Sequence, residues 1–154
     1  MTMRITIRNR NTKRKIDLSK VRKAATAVLE AFKKDRAAIN IVFSGNAEIR
    51  VLNRKHLGHD TATDVLAFPA GEAPVADPER LGKRTRSFLG DVIISSDKAA
   101  EHAKIYGTAS EEEIIRYVIH GMLHLLGYKD NDRKSSAAMR KKENEFLRKT
   151  GKQP

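Results

Sequence analysis

The chain has 154 residues, of which 40% are hydrophobic, and it carries a formal net charge of +12 at pH 7. This length and composition predict one globular domain over residues 1–154. No apolar run could span a bilayer, the N-terminal residues lack the apolar segment of a signal peptide, and the absence of cysteine excludes disulfides and thiolate metal sites. We therefore expect a cytoplasmic protein without a membrane segment.

The basic residues are clustered along the chain. They concentrate in residues 8–15, 80–86 and 133–152. A positive surplus of this size attracts a polyanion, and nucleic acid is the commonest polyanion in the cytoplasm. The charge therefore favours nucleic-acid binding without separating RNA from DNA, and the alternative is that it serves solubility alone.

The first part of the chain alternates between strand and helix patterns. Apolar and polar residues alternate over residues 3–7 and 39–43, which predicts two half-buried strands. Helical spacing of apolar residues predicts an amphipathic helix over residues 19–34. Asn46 can cap a short helix that runs to about residue 54.

The second part of the chain is predicted in the same way around one central helix. The flanking elements are a strand over residues 63–69, a loop or loose hairpin over 70–87, a strand over 89–95, a helix capped by Ser96 or Asp97 and ending near Tyr106, and a last helix over 135–149. Strands come early and helices late, so we expect an α+β fold. It would have four strands in a mixed sheet and about five helices.

The central helix is predicted to be buried. Ser110 and Glu113 have the spacing of a capping box, and glutamates fill the first turn, where the helix dipole favours negative charge. The residues that follow are apolar on almost every side, which is typical of a buried helix. Gly127 is expected to end it. The sheet would cover one side of this helix, and the histidine face would open on a cleft near residues 63–69.

Two histidines interrupt that apolar run. His120 and His124 are four residues apart, so their rings share one helix face. Gly127 and Asp130 follow at seven and ten residues after the first histidine, which gives the pattern H-x-x-x-H-x-x-G-x-x-D. The long zinc-protease signature H-E-x-x-H-x-x-G-x-x-H has the same geometry. We therefore predict that His120, His124 and Asp130 bind one divalent metal; the alternative is two core histidines that hydrogen-bond to backbone carbonyls.

Zinc is the first expectation for that metal. Three protein ligands leave an open position for water, which the ion would activate. An aspartate among the ligands adds negative charge and moves the site toward harder ions, so manganese, iron and nickel follow zinc.

Three stretches together resemble one known family. They are LNRKHLGHDTATDVLAFP at residues 52–69, LGDVIIS at 89–95 and HGMLHLLGYKD at 120–130. In order and spacing they resemble the YbeY family of bacterial rRNA-maturation endoribonucleases. The resemblance implies a fold similar to the zincin metalloproteases, a zinc-like metal on the central helix and a single-stranded RNA substrate. It also implies work on ribosomal RNA and in ribosome quality control, with the ribosome as partner.

The chain departs from the family pattern at two positions. The family motif reads H-G-x-L-H-L-x-G-Y-D-H, so Asp130 stands where the family has its third metal histidine. Leu57 stands where the family has an arginine, which would suit a phosphate in charge and shape. Positive charge could instead come from nearby side chains, and the candidates for phosphate contacts are Arg54, Lys55, His56 and His59. Each of these is alternatively an ordinary surface residue.

Three further aspartates have two interpretations each. Asp64 and Asp91 are structural, or they orient a metal-bound histidine from outside the ligand shell. Asp132 caps the last helix, or it replaces Asp130 as the third ligand.

Four functions compete. A metal-dependent endoribonuclease, a hydrolase acting on ribosomal RNA, uses every feature above. The first alternative is a non-catalytic, ribosome-associated RNA-binding factor that keeps the fold. A metalloprotease is disfavoured because Gly121 stands where that class has its glutamate base. A non-haem iron oxygenase would use two histidines and a carboxylate, but it gives no reason for the basic surface.

Overall fold

The computed structural model describes residues 3–71 and 88–150. Within these ranges the strands are β1 (Arg4–Asn9), β2 (Ala38–Ser44), β3 (Val65–Pro69) and β4 (Phe88–Ser95). The helices in the same ranges are α1 (Leu18–Ala31), α2 (Asn46–Leu57), α3 (Ser96–Tyr106), α4 (Ser110–Leu125) and α5 (Arg133–Thr150). Residues 72–87 of the predicted loop lie outside the described residues.

The four strands form one mixed sheet in the order β1-β2-β4-β3. β1 runs parallel to β2 and β2 parallel to β4, whereas β3 is antiparallel to β4. Ile41 of β2 pairs with Val92 of β4, which in turn pairs with Ala67 of β3. The predicted α+β fold, with a four-stranded mixed sheet and about five helices, is therefore confirmed for the described part of the chain.

Side chains alternate between the two faces of the sheet, as the strand period requires. One face, with Ile41 and Val92, packs against α1, α4 and α5 in the main core. The other face, with Val42 and Ile93, meets Ile49 of α2 in a smaller cluster. The sheet is thus covered on both sides, and the helix that carries the two histidines lies on the larger core.

α4 approaches the sheet closely at Gly121. A Cβ atom added there would lie 2.5 Å from Cγ1 of Val92 and 3.0 Å from Cγ1 of Val65. Real Cβ atoms essentially never approach another atom within 3.0 Å. Glycine at this position therefore lets the helix backbone rest on β3 and β4, which fixes the rotation of α4 and the direction of its histidine face.

The start of α4 differs from the prediction. The cap residue is Ala109, without a side-chain cap, so the capping box predicted at Ser110 is wrong. Ser110 is already the first helical residue. Glu113 instead accepts a hydrogen bond of 2.8 Å from the hydroxyl of Thr108, two residues upstream of the predicted cap. The glutamate of the predicted capping box therefore binds the side chain of Thr108 instead of the backbone of Ser110.

α3 also begins one residue earlier than expected. Its cap is Ser95, whose hydroxyl accepts a hydrogen bond of 3.0 Å from the backbone N–H of Lys98. The prediction of Ser96 or Asp97 as the cap is therefore wrong, because β4 runs directly into the helix and its last residue takes that role. The Asp97 carboxylate accepts the backbone N–H of Asn46 at 2.9 Å and so joins α3 to α2.

The last helix begins at Arg133, slightly before the predicted start at residue 135. The Asp132 carboxylate accepts a hydrogen bond of 2.7 Å from the backbone N–H of Ser135, so the prediction that it caps this helix is confirmed. The buried side of α5 is formed by Met139, Glu143, Phe146, Leu147 and Thr150. No helix in residues 3–71 or 88–150 is long and apolar enough to cross a membrane.

Candidate metal centre

The end of α4 turns the chain back on itself. The N–H of Gly127 donates to the carbonyl of His124 at 3.1 Å, and the N–H of Tyr128 donates to that of Leu123 at 2.9 Å. This pair of bonds is the Schellman motif, which needs a left-handed residue, and Gly127 supplies it with φ of 103°. The reversal brings Asp130 back beside the last turns of α4.

The three predicted ligands converge. The Nε2 atoms of His120 and His124 lie 3.1 Å apart, and each lies 3.5 Å from Oδ2 of Asp130. An ion bound tetrahedrally through bonds of about 2.0–2.2 Å would space its ligand atoms about 3.3–3.6 Å apart. The three side chains therefore have a spacing that could hold a single metal ion.

The outward-facing nitrogens of both rings are also fixed. Nδ1 of His120 lies 2.5 Å from Oε2 of Glu143, and Nδ1 of His124 lies 3.2 Å from the carbonyl oxygen of Tyr128. Both partners are acceptors, so we assign the ring proton to Nδ1 in each neutral histidine. Two Nε2 lone pairs then face each other at 3.1 Å, an arrangement that a cation stabilises.

Glu143, which no sequence motif indicated, contacts the candidate ligand His120. Its side chain is only 5% exposed, and its second oxygen accepts a hydrogen bond of 3.0 Å from Arg116. The other arm of that guanidinium donates to Asn144 at 3.0 Å. A buried carboxylate needs such partners, because an unpaired buried charge is costly. Arg116 and Glu143 together hold the ring of His120.

The same groups favour positive charge at His120. Burial of the ring opposes its protonated form, but the hydrogen bond and the charge of Glu143 outweigh it, and Asp130 and Asp64 add their charges. The pKa of His120 is therefore raised above its usual value. The negative charges of Glu143, Asp130 and Asp64, which favour a proton on this ring, also favour a metal cation beside it.

The histidine face opens on a cleft of about 760 Å³ between α4 and α5. His120, Asp130 and Glu143 line one part of it, and Asp64 contributes from the segment before β3. The two histidine side chains are 28% and 30% exposed, so the predicted opening of this face near residues 63–69 is found. Three arginines also line the cleft: Arg116, Arg133 and Arg140.

The predicted phosphate contacts lie elsewhere. Arg54 and Lys55 are exposed in the last turn of α2, His59 is exposed beyond it, and the ring of His56 packs edge-on against Phe68. None of the four lines the cleft. Their role in binding phosphate stays a prediction that the geometry does not support.

Leu57, Asp64 and Asp91 occupy different environments. Leu57 is 51% exposed and does not line the cleft. Asp91 is 2% exposed and accepts a hydrogen bond of 3.1 Å from Asn40 inside the sheet. The Asp64 carboxylate accepts the hydroxyl of Thr63 at 3.4 Å. Of these three residues, Asp64 alone lines the cleft that contains the candidate ligands.

Glu143→Gln should weaken metal binding by about 10–100-fold, the usual effect of losing a partner outside the ligand shell. Glutamine keeps the size of the side chain but loses the charge that polarises His120. The dissociation constant, measured in competition with a chromophoric chelator, tests this. Glu145→Gln on the same helix, where the carboxylate pairs with Lys142 at 3.3 Å and does not touch the histidines, is the matched control and should bind metal normally.

Fold and site together define a class of protein. It is an α+β protein whose buried helix and following turn bring two imidazoles and one carboxylate to a single point above a mixed sheet. The family model described as endoribonuclease YbeY matches residues 6–151. The chain belongs to this family.

Individual relatives agree with the family match. An endoribonuclease YbeY from Anaeromyxobacter sp. (strain Fw109-5) is 43% identical over 133 residues, which is 86% of this chain and 64% of that protein. The endoribonuclease YbeY of Salinibacter ruber is 32% identical over 143 residues, covering 93% of this chain and 89% of that one. The chain thus spans 64% of the length of its Anaeromyxobacter relative.

A solved structure is similar in fold. The solution structure of TM1509 from Thermotoga maritima superposes with a TM-score of 0.58 at 24% identity. The match covers 93% of this chain and 89% of that chain. At this identity the likeness concerns the fold alone.

Proposed function

We propose that this chain is a metal-dependent endoribonuclease that cuts single-stranded RNA. Its setting would be ribosomal RNA maturation and ribosome quality control in the cytoplasm, with the ribosome as partner. The observation that carries the proposal is the convergence of His120, His124 and Asp130, at 3.1–3.5 Å, in a chain of the YbeY family.

His120, His124 and Asp130 are the proposed ligands. Glu143 and the Tyr128 carbonyl hold the two rings so that both Nε2 atoms face inward. A divalent ion bound there would activate water and offset negative charge on a phosphoryl oxygen. Since only three side chains bind, one side of the site stays open toward the cleft and the RNA backbone.

Zinc is the proposed metal. Two imidazoles and one carboxylate suit zinc well, and three protein ligands with one open position are typical of its catalytic sites. The carboxylate of Asp130 also accommodates harder ions, so manganese, iron and nickel are the next candidates.

A non-catalytic RNA-binding factor is the second candidate. The observation that favours it is the pair of departures from the family motif, Leu57 and Asp130. Both hypotheses expect RNA binding, and only the first expects cleavage. A metalloprotease would need a glutamate at position 121, where a side chain would collide with Val92, so that activity is disfavoured.

Cleavage of a ribosomal RNA fragment with an unpaired tail tests the proposal. We expect chelator and His124→Ala each to abolish cutting in the tail, because the ion and one of its ligands are lost. Glu145→Gln is the control: this carboxylate of α5 lies outside the cleft, so turnover at saturating RNA should be unchanged. If His124→Ala cuts as fast as wild type, the proposed metal site is not the nuclease site.

A further inference from the structure

One face of α5 borders the cleft along its whole first half. Arg133, Ser136, Ala137 and Arg140 all line it, and Glu143 follows at the point where it meets His120. These positions recur every three or four residues, so they form a single stripe on the helix. The stripe therefore runs along the cleft from Arg133, which closely follows the candidate ligand Asp130 in the sequence, to Glu143, which contacts His120.

The arginines of this cleft differ in their pairing. Arg116 donates hydrogen bonds to Glu143 and Asn144. Arg133 and Arg140 are exposed, and neither guanidinium forms a hydrogen bond or an ion pair with any residue in the part of the chain that the structure describes. Two guanidinium groups thus line the cleft with their donors available.

The carboxylates of the cleft are mostly engaged with other groups. Glu143 holds His120 and Arg116, Asp130 faces both histidines, and Asp132 caps α5. Asp64 stands beside His120 on the far side, before β3. The cleft is lined by four carboxylates and three arginines, and among the described residues only Arg133 and Arg140 of these arginines lack an ion-pair partner.

We propose that Arg133 and Arg140 form a phosphate-binding subsite for the RNA strand that enters this cleft. The proposal rests on the proposed function and names the chain's own residues for substrate positioning. An arginine binds phosphate through two parallel N–H donors, and it keeps its charge at every physiological pH. Each arginine would hold one phosphate of a strand that lies along this face of α5.

The spacing on the helix suits two separate phosphates. Arg133 and Arg140 are seven residues apart, which is about 10 Å along the helix axis. This exceeds the axial rise of about 3.4 Å per nucleotide in one strand of a duplex, so the two arginines would contact different phosphates. Ser136 and Ala137 between them are short, which leaves room for a sugar–phosphate backbone.

This subsite also accounts for the missing family arginine. Leu57 cannot bind a phosphate, and the basic residues beside it do not line the cleft. Arg133 and Arg140 line the cleft and could supply this positive charge from the C-terminal helix α5. Since phosphate contacts position the strand without reading its bases, no sequence preference is expected from them.

RNA binding to the metal-depleted protein tests the subsite. Fluorescence anisotropy would be measured with two single-stranded RNAs of unrelated sequence over a range of salt concentrations. Arg133→Ala/Arg140→Ala should weaken binding about tenfold or more, equally for both RNAs. Its salt slope should fall by about 1.4, since each phosphate contact on a single strand contributes about 0.7.

Lys141→Ala/Arg148→Ala is the matched control, because it removes two exposed charges from the same helix outside the cleft. It should retain nearly all of the affinity and slope, and both variants should melt within about 2 °C of wild type. Equal losses in the two variants, or no loss in either, would overturn the subsite while wild-type cleavage still supports the proposed function. Absence of RNA binding by wild type would overturn both.

Discussion

Asp130→Ala should lower the affinity for zinc by more than about 100-fold, beyond the range expected for losing a group outside the ligand shell. Asp130 Oδ2 lies 3.5 Å from the Nε2 atom of each histidine, and no other described carboxylate shares that point with them. Two imidazoles alone would hold the ion weakly. Zinc dissociation constants, measured by competition with a chromophoric chelator, provide the test.

Asp132→Ala is the matched control for this change. Its carboxylate caps α5, so its loss should lower the free energy of unfolding and leave zinc affinity nearly unchanged. Asp130→His should restore the ligand set of the family motif and tighten zinc. Equal zinc affinity in wild type and Asp130→Ala would exclude Asp130 as a ligand.

Gly121→Ala should destabilise the protein. In the interior of most helices, replacing glycine by alanine instead stabilises the helix by about 1 kcal/mol. The added Cβ would lie 2.5 Å from Val92 and 3.0 Å from Val65, so α4 must move off the sheet or the valines must shift. Overpacking of this kind costs about 1–3 kcal/mol. Urea unfolding followed by circular dichroism measures the change.

A second substitution makes this test specific. Val92→Ala alone creates a cavity, but in the Gly121→Ala background it also removes the atoms that the new methyl group meets. The double variant should therefore be more stable than the sum of the single changes predicts. A Gly121→Ala protein more stable than wild type would show that α4 does not lie so close to the sheet.

Local patterns were sufficient for much of the fold and for the ligand set. The periods of two and 3.6 residues located the strands and helices, because each element buries one face. His120, His124 and Asp130 lie within one helix end and the turn after it, so their convergence depends on local geometry alone. Gly127 is the residue that allows this reversal.

Contacts between distant segments were not predictable in the same way. Glu143 lies 23 residues beyond His120, and their contact depends on how α5 packs against α4. One signal was present: Glu143 falls at helical spacing between Met139 and Phe146, so an acidic residue interrupts a buried face. The collision that a side chain at Gly121 would cause also depends on β3 and β4.

Local motifs also did not predict which residue Glu113 binds at the start of α4. Glu113 has the capping-box spacing from Ser110, but in the structure it accepts a hydrogen bond from Thr108. Sequence proximity to Leu57 likewise made Arg54, Lys55, His56 and His59 the candidates for phosphate contacts. The cleft is instead bordered by arginines of α5, which only the packing of that helix on α4 brings to the site.

The most direct test is a zinc titration of metal-depleted protein during cleavage of a single-stranded RNA. If one ion at His120, His124 and Asp130 carries the reaction, the rate should rise linearly to one equivalent of zinc per chain and then stay constant. Asp130→Ala should show no such break at the same protein concentration. Full cleavage by the metal-depleted wild type, before any zinc is added, would contradict the account.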